Sequence, residues 1–321
     1  MENIKRIALL TSGGDSCGMN ATIRAVTRYA IYNNLEVIGF YEGYKGLLNN
    51  DYKMLNLSSV GGIVDRGGTI LYSARSEEFK TRKGLQKAVE NLKKKEIDGL
   101  VVIGGDGTFR GAHDLHNMGV RVVGIPATID NDIPGTDYSI GFDTALNVII
   151  DLISKIRDTA SSHDRLFVVE VMGKQSGIIA VNAGVACAVD YIIIPEIEVD
   201  LAQIASNIKK HRESKRHILI LVAEGVAKAS DVASSIKLLA GHEVRVSVLG
   251  HIQRGGSPSA MDRILAAKFG KKAVDLLIED KSDYMTVIKA MKVDACPIDY
   301  MFDNKKEVDK DLYNLAHILS L

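Results

Sequence analysis

Runs of aliphatic and β-branched residues punctuate the chain at 6–10, 36–41, 99–103, 121–125, 165–171, 191–194, 217–223 and 244–249. Most are apolar at successive rather than alternate positions, the pattern of strands covered on both faces. Stretches of mixed polarity and helical length lie between them, at 19–33, 81–95, 144–161, 201–211 and 231–240. Strand alternating with helix predicts parallel sheets flanked by helices, and only 5 prolines interrupt the pattern. One construction recurs: a buried strand, a glycine-rich turn, then a helix. It occurs at Thr11-Ser-Gly-Gly-Asp15, Gly104-Gly-Asp-Gly107, Met172-Gly-Lys-Gln-Ser-Gly177 and Gly250-His-Ile-Gln-Arg-Gly-Gly256. The repeated junction predicts an α/β fold of two Rossmann-like layered domains with mainly parallel sheets and the active site in the cleft between them.

At 321 residues the chain is long enough for two such domains, each with its own core. Its 40 Lys and Arg residues balance 40 Asp and Glu residues. No global field therefore gathers nucleic acid or an acidic membrane, and a bound anion must be held by local clusters. Cys17, Cys187 and Cys296 are far apart and lack metal-ligand spacing, which argues for a reducing compartment without disulfides. Ile7-Ala-Leu-Leu10 is too short for a signal-peptide core, and no segment approaches the roughly 20 apolar residues of a membrane span. The expectation is a soluble cytoplasmic protein.

Glycine after a buried strand lets the backbone approach a ligand, and the following helix offers free N–H groups and the positive end of its dipole. Phosphate suits such a place. No Gly-x-x-x-x-Gly-Lys-Ser/Thr loop occurs, and Gly104-Gly-Asp-Gly-Thr108 lacks the dinucleotide spacing. An acid beside phosphate is repelled unless a divalent cation lies between them, and Mg²⁺ takes one or two carboxylates with phosphate oxygens. Asp106 is the first choice for that ligand, with Asp132 behind it; the alternative is that Asp15 and Asp106 cap helices.

Residues 126–138 gather Asp130, Asp132 and Asp137 with Pro126, Pro134 and Gly135 beyond a predicted strand, where open α/β sheets bind ligands. An extended segment here directs Asp130 and Asp132 to one face, one to take a hydroxyl proton and the other to serve metal. The alternative is a polar turn. Arg75, Arg165, Arg245 and Arg254, with His251, sit near glycine loops or strand ends, where bidentate guanidinium groups suit phosphate. Ser162, His163 and Asp164 are adjacent, but adjacency is not triad geometry, and no Gly-x-Ser-x-Gly elbow occurs.

Several segments carry a resemblance: Leu10-Thr-Ser-Gly-Gly-Asp-Ser-Cys-Gly-Met-Asn20, Arg66-Gly-Gly-Thr69 with Ser73-Ala-Arg75, Gly104-Gly-Asp-Gly-Thr108, and Thr128-Ile-Asp-Asn-Asp132 with Gly135-Thr-Asp-Tyr138. Val169-Glu-Val-Met-Gly173 and Leu249-Gly-His-Ile-Gln-Arg-Gly-Gly-Ser-Pro258 complete the set. Together they resemble the bacterial-type ATP-dependent 6-phosphofructokinases, in the expected order and over nearly the whole chain. The resemblance implies Mg²⁺-dependent transfer of the γ-phosphoryl of ATP to the 1-hydroxyl of fructose 6-phosphate. It implies that Asp130 is the base, that Thr128 and Gly14 border the transferred group, that Arg75 stabilises its charge and that Asp106 holds the metal. Gly14, Arg75, Ser76, Gly105, Asp106, Gly107, Thr108 and Gly111 would bind ATP. Thr128, Asp130, Met172, Gly173, Lys174, Glu224, His251 and Arg254 would bind the sugar phosphate, with Arg165 and Arg245 reaching in from a neighbouring subunit of a homotetramer. A nucleotide-binding domain would comprise 1–141 and 253–303, and a sugar-phosphate-binding domain 142–252 and 304–321.

Departures from the family pattern qualify what the resemblance implies. Pyrophosphate-using relatives typically carry an acid at 107 and a lysine at 127. A carboxylate there repels the α-phosphate of a nucleotide and a lysine binds pyrophosphate, so Gly107 and Ala127 favour ATP. Cys17 stands where the family often has proline, and Lys174 where many members have arginine, which keeps the charge but loses the planar fork. Arg24, Arg28 and Arg157, with Asp190, Glu213 and Lys215, match the family's pocket for ADP or phosphoenolpyruvate. Leu57 and Gly62 replace groups that are often polar, Asp190 the usual glutamate and Glu213 a base, so a reduced or altered effector response is expected. Competing readings are a pyrophosphate-dependent phosphofructokinase, a lipid or NAD kinase sharing Gly-Gly-Asp-Gly-Thr, and a non-catalytic nucleotide sensor. Gly107 and Ala127 oppose the first, residues 11–20 and 250–258 the second, and Asp130 with Arg75 and Asp106 the third.

Overall fold

The computed structural model describes residues 4–162, 165–211 and 217–320. Among them the strands are β1 (Arg6–Thr11), β2 (Glu36–Phe40), β3 (Tyr52–Leu55), β4 (Gly99–Gly104), β5 (Val122–Pro126), β6 (Leu166–Val171), β7 (Tyr191–Ile193), β8 (Ile218–Ala223), β9 (Val244–Val248), β10 (Tyr284–Lys289) and β11 (Lys292–Pro297). The helices are α1 (Met19–Tyr32), α2 (Tyr44–Asn49), α3 (Arg82–Lys94), α4 (Asp106–Asn117), α5 (Phe142–Ser162), α6 (Ile178–Ala186), α7 (Leu201–His211), α8 (Ala229–Ala240), α9 (Ala260–Ile278), α10 (Tyr300–Asp303) and α11 (Lys310–Leu319). The chain divides into two compact units, one of Met1–Thr144 with Arg254–Lys306, the other of Ala145–Gln253 with Glu307–Leu321.

The first unit is built on a sheet ordered β11-β10-β5-β4-β1-β2-β3. Its interior pairs are parallel, while β3 and β11 add antiparallel edges. The interior strand β1 shows why both faces are covered. Ile7 and Leu9 join an apolar layer with Met19, Ile23 and Val26 of α1 and Leu265, Phe269 and Ala273 of α9. Ala8 and Leu10 point the other way, at period two, into a layer with Leu47 of α2, Leu92 of α3 and Phe109 of α4.

The antiparallel members are the part that the run pattern misses. β10 and β11 are joined through Ala290 and Met291, with φ of 46° and 65°. Both residues of this two-residue loop are left-handed, the geometry of the primed hairpin turns, yet neither is the glycine or asparagine that announces one. The close packing of α9 on α1 is equally quiet in the sequence: a Cβ on Gly270 would lie 2.6 Å from that of Ala25.

The second unit contains a wholly parallel sheet, β7-β8-β6-β9. Leu166 and Val168 of β6 and Ile218, Ile220 and Val222 of β8 pack with Ile208 of α7 and Ile236 of α8. β9 forms one edge and leaves Arg245, Val246 and Val248 exposed.

Within the first unit, a residue of α9 fixes the start of α5. The buried Asp262 accepts Gly141 N through Oδ1 at 2.8 Å, and Thr144 N and Oγ1 through Oδ2 at 2.8 and 2.5 Å. A helix start lacks intrahelical partners for its first N–H groups, and its dipole favours an anion. Burial pushes this carboxyl above its ordinary range, against the downward pull of the Thr144 and Gly141 donors. Replacing Asp262 by Ala strips the acceptor from buried donors and is expected to lower stability by about 3 kcal/mol, with Asp262→Asn losing less. Urea denaturation measures both, and an unchanged midpoint for the alanine variant would show the carboxylate to be dispensable.

Candidate active site

Strand order reverses beside β1, with β2 on one side of it and β4 on the other. An open α/β sheet offers its crevice at such a switch, outside the carboxyl ends of the strands. Thr11 is in register with Ile103, and Gly104 with Pro126. The segments after β1, β4 and β5 therefore leave the sheet at one edge, carrying Gly14, then residues 105–108, then Thr128 and Asp130.

Their approach is close enough to require glycine at one point. A Cβ on Gly104 would lie 2.4 Å from both the Ser12 carbonyl oxygen and Thr108 Oγ1. Thr108 Oγ1 donates to that carbonyl at 3.1 Å, and Ser12 N donates to Ile103 O at 3.0 Å. Tyr44 holds the same threonine from behind, its hydroxyl donating to Thr108 O at 2.5 Å. The Tyr44 ring stacks on Phe79 at 3.9 Å between centroids, and Gly111 backs onto the pair. Ser76 accepts Phe79 N at 3.2 Å, and Arg75 beside it is exposed. Arg254 lies against Gly14, where a Cβ would come within 2.6 Å of its guanidinium, and donates to Asp15 O at 2.9 Å.

Asp15 and Asp106 are not helix caps. Gly18, at φ 110°, precedes α1, and Gly105 precedes α4 without supplying a side-chain acceptor. The positive end of α4 is thus presented with Asp106 and Gly107 exposed. A Cβ added to Gly107 would meet nothing within 4 Å, so space there is open.

Past β5 the chain turns rather than extends. Asn131 has φ 51°, and its side chain ties the turn shut: Nδ2 donates to Asp137 O at 3.0 Å and Oδ1 accepts Ser139 N at 2.9 Å. Ser139 Oγ donates to Thr128 O at 2.6 Å. This left-handed residue between Asp130 and Asp132 removes the shared face that an extended segment would give them. Asp130 is 1% exposed, whereas Asp132 is only partly buried. Thr128 Oγ1 donates to Asp130 Oδ2 at 3.3 Å and so orients the buried carboxylate. Asp137 is committed elsewhere: its Oδ2 accepts Ala290 N at 2.7 Å and its N–H donates to Ile288 O at 2.8 Å.

Lys306 belongs to this turn although nothing in Asn304-Lys-Lys-Glu307 marks it. Its Nζ donates to Thr136 O at 2.7 Å and Asp137 O at 2.8 Å. Burial pushes the amine down to about 8, against the opposing pull of Asp137 and Asp132.

In the second unit the turn after β6 is shaped by Glu224, whose Oε1 accepts Gly173 N at 3.3 Å and Lys174 N at 3.0 Å. Gly173 and Lys174 have φ of 147° and 52°. Met172 is buried, and its N–H donates to the side chain of the buried Gln253, within the 251–254 stretch, at 3.2 Å. Arg165 is partly buried just before β6, Arg245 is exposed on β9, and His251 is exposed beyond it.

The residues matched to an effector pocket divide between the units. Arg24 and Arg28 lie on α1 in the first, where Arg28 Nη2 donates to Leu57 O at 3.4 Å. Arg157 and Asp190 lie in the second. Arg157 Nη2 donates to the carbonyls of Cys187 and Ala188, and Asp190 Oδ2 accepts Leu219 N at 2.9 Å. Glu213 and Lys215, like His163, lie outside the described residues.

Comparison with known proteins identifies the family. The model of the family described as Phosphofructokinase matches residues 6–277. An ATP-dependent 6-phosphofructokinase from Shouchella clausii is 54% identical over 99% of this chain and 100% of its own, and one from Clostridioides difficile is 53% identical over the same shares. The structure of phosphofructokinase from Saccharomyces cerevisiae superimposes with a TM-score of 0.87 at 38% identity, over 93% of this chain and 45% of that one. This chain thus spans under half of the yeast protein. A pyrophosphate-dependent phosphofructokinase from Nitrosospira multiformis superimposes at 0.88 with 22% identity over 95% of this chain and 86% of its own, a likeness of fold alone. With a family model over most of its length and full-length relatives at this identity, the chain belongs to the phosphofructokinase family.

Proposed function

We propose that this chain transfers the γ-phosphoryl of ATP to the 1-hydroxyl of fructose 6-phosphate, with Mg²⁺, giving fructose 1,6-bisphosphate and ADP in the cytoplasm. One observation carries the reading: a buried carboxylate, Asp130, is oriented by Thr128 at the carboxyl end of β5, beside the joined glycine loops of β1 and β4. An alcohol attacks phosphorus as its proton leaves, and a fixed carboxylate within reach receives that proton. Thr128 and Gly14 border the transferred group, and the Arg75 guanidinium meets its charge. The nucleotide is assigned to the first unit, along residues 105–108 and Gly111 with Ser76. The sugar phosphate is assigned to Met172, Gly173, Lys174, Glu224 and His251 of the second unit, and to Arg254.

Among the described residues no group of three His, Cys, Asp or Glu forms a metal cage. Asp106 fits Mg²⁺ as an exposed carboxylate, because that ion takes one or two protein oxygens and fills its shell with phosphate and water. When bound, the ion neutralises phosphate charge.

The exposed edge at β9 supports a homotetramer in which Arg165 and Arg245 serve a neighbouring subunit. An edge strand bearing exposed Val246 and Val248 is a liability that a second copy relieves.

A coupled assay with fructose 6-phosphate is expected to show turnover with ATP and Mg²⁺ and none with pyrophosphate or without metal. Asp130→Ser is expected to lower kcat by roughly 10²–10⁴-fold; a near-normal rate would remove it from the role of base. Gly107→Asp has room within the protein, so its expected loss of ATP use is a ligand effect, and unchanged ATP kinetics would refute the argument from charge. The commitment of Arg157 to the end of α6, with Leu57 and Glu213 in place of polar or basic groups, leads to a weak effector response. Strong activation by ADP together with strong inhibition by phosphoenolpyruvate would contradict it.

A further inference from the structure

We propose that Lys306 is a positioning residue for phosphoryl transfer, holding the Asp130 carboxylate in place through the Asp137 carbonyl and the Asn131 side chain. The inference rests on the reading of Asp130 as the base. Lys306 Nζ donates to Thr136 O at 2.7 Å and Asp137 O at 2.8 Å. The same Asp137 carbonyl accepts Asn131 Nδ2 at 3.0 Å, and Asn131 is the left-handed residue directly after Asp130. Its other end, Oδ1, accepts Ser139 N at 2.9 Å; Ser139 Oγ donates to Thr128 O at 2.6 Å, and the Thr128 hydroxyl reaches Asp130 Oδ2 at 3.3 Å. An unbroken run of hydrogen bonds therefore leads from the ammonium to the buried carboxylate.

The charge matters as well as the donors. Asp130, Asp132 and Asp137 crowd one short turn, and like charges so close repel. Lys306 faces Asp137 and Asp132 and opposes that repulsion. The ammonium is a charge-assisted donor to both carbonyls, which fixes their positions more firmly than a neutral donor would. The hairpin holds other atoms of the same turn: Ile288 N donates to Thr136 Oγ1 at 3.0 Å, and Ala290 N to Asp137 Oδ2 at 2.7 Å. Those bonds keep the turn docked on the sheet without aiming the Asp137 carbonyl at Asn131. Loss of Lys306 therefore loosens the geometry at Asp130 more than it weakens the fold.

The test compares Lys306→Met, Lys306→Gln and Lys306→Arg with the exposed neighbour variant Lys305→Met and with Asp130→Ser, all in the full chain with ATP, fructose 6-phosphate and Mg²⁺. Lys306→Met is expected to lower kcat about 10- to 100-fold, the scale of a small misplacement of a reacting group, with both KM values and the thermal midpoint little changed. Lys306→Arg keeps charge and donors and is expected to retain most of kcat, Lys306→Gln to fall between, and Lys305→Met to match the parent. Should Lys306→Met fail to fold, the ranking of the Arg and Gln variants carries the test, and Gln equal to the parent overturns the proposal. A parental kcat in Lys306→Met, or a raised KM alone, also overturns it, while a crippled Asp130→Ser leaves the base assignment standing. A near-normal Asp130→Ser takes both down.

Discussion

How near the chain leaving β1 can come to the chain leaving β4 decides whether there is a site at all. At Gly104 there is no room for a methyl group, and Thr108 spans what is left with a bond to the Ser12 carbonyl. That contact makes two loops one surface at the place where the strand order reverses. Everything nearby is arranged against it: Tyr44 from below, Arg254 against Gly14, and Thr128 beside Gly105, where an added Cβ would lie 3.7 Å from that of the threonine. Because the loops are fixed by close packing and short bonds, the positive end of α4 and the carboxylate of Asp130 keep a constant relation within the first unit. Such pre-organisation is what electrostatic catalysis requires, since donors already in place need not reorganise as charge moves.

The charges follow the same economy of local pairing. With no net charge to draw anions from a distance, the acidic turn and its basic partners must balance at short range. The first unit shows this twice: the partly buried Lys306 faces the turn after β5, and the buried Asp262 faces the start of α5. Lys306 is held by two backbone carbonyls and Asp262 by two backbone amides and the Thr144 hydroxyl, the kind of pairing under which a charge withdrawn from water is tolerated.

Legibility in the sequence follows the range over which each feature is specified. The strands β4, β5 and β8 are legible because burial on both faces makes them apolar without interruption, and β6 because only Glu170 breaks its apolar run. The glycine loops are legible because a Gly-Gly pair after such a strand has few other reasons to exist. The β10–β11 hairpin is not, since Ala290 and Met291 adopt left-handed conformations without the residues that favour them. The shared face of Asp130 and Asp132 is misread because the extended backbone was assumed across Asn131, whose own side chain enforces the turn. Lys306 and Asp262 are invisible for a different reason: their partners lie 170 and 118 residues away in sequence, and nothing local sets them apart. Glu224 is marked by resemblance alone, and only the structure shows it gathering two backbone amides.

The first unit is also discontinuous, and that has a consequence for how the protein is made. One face of its sheet, with Ile7 and Leu9 and the apolar side of α1, is covered by α9, and β5 takes its second neighbour from β10. Both covering elements lie after Ala145–Gln253. On the ribosome the unit that begins first therefore cannot close until most of the other has been made. At about 5–20 residues per second, roughly 5–20 s pass while the intervening segment is synthesised. Throughout that interval the nascent chain carries an uncovered apolar face, the kind of surface that chaperones bind and that aggregates when they do not.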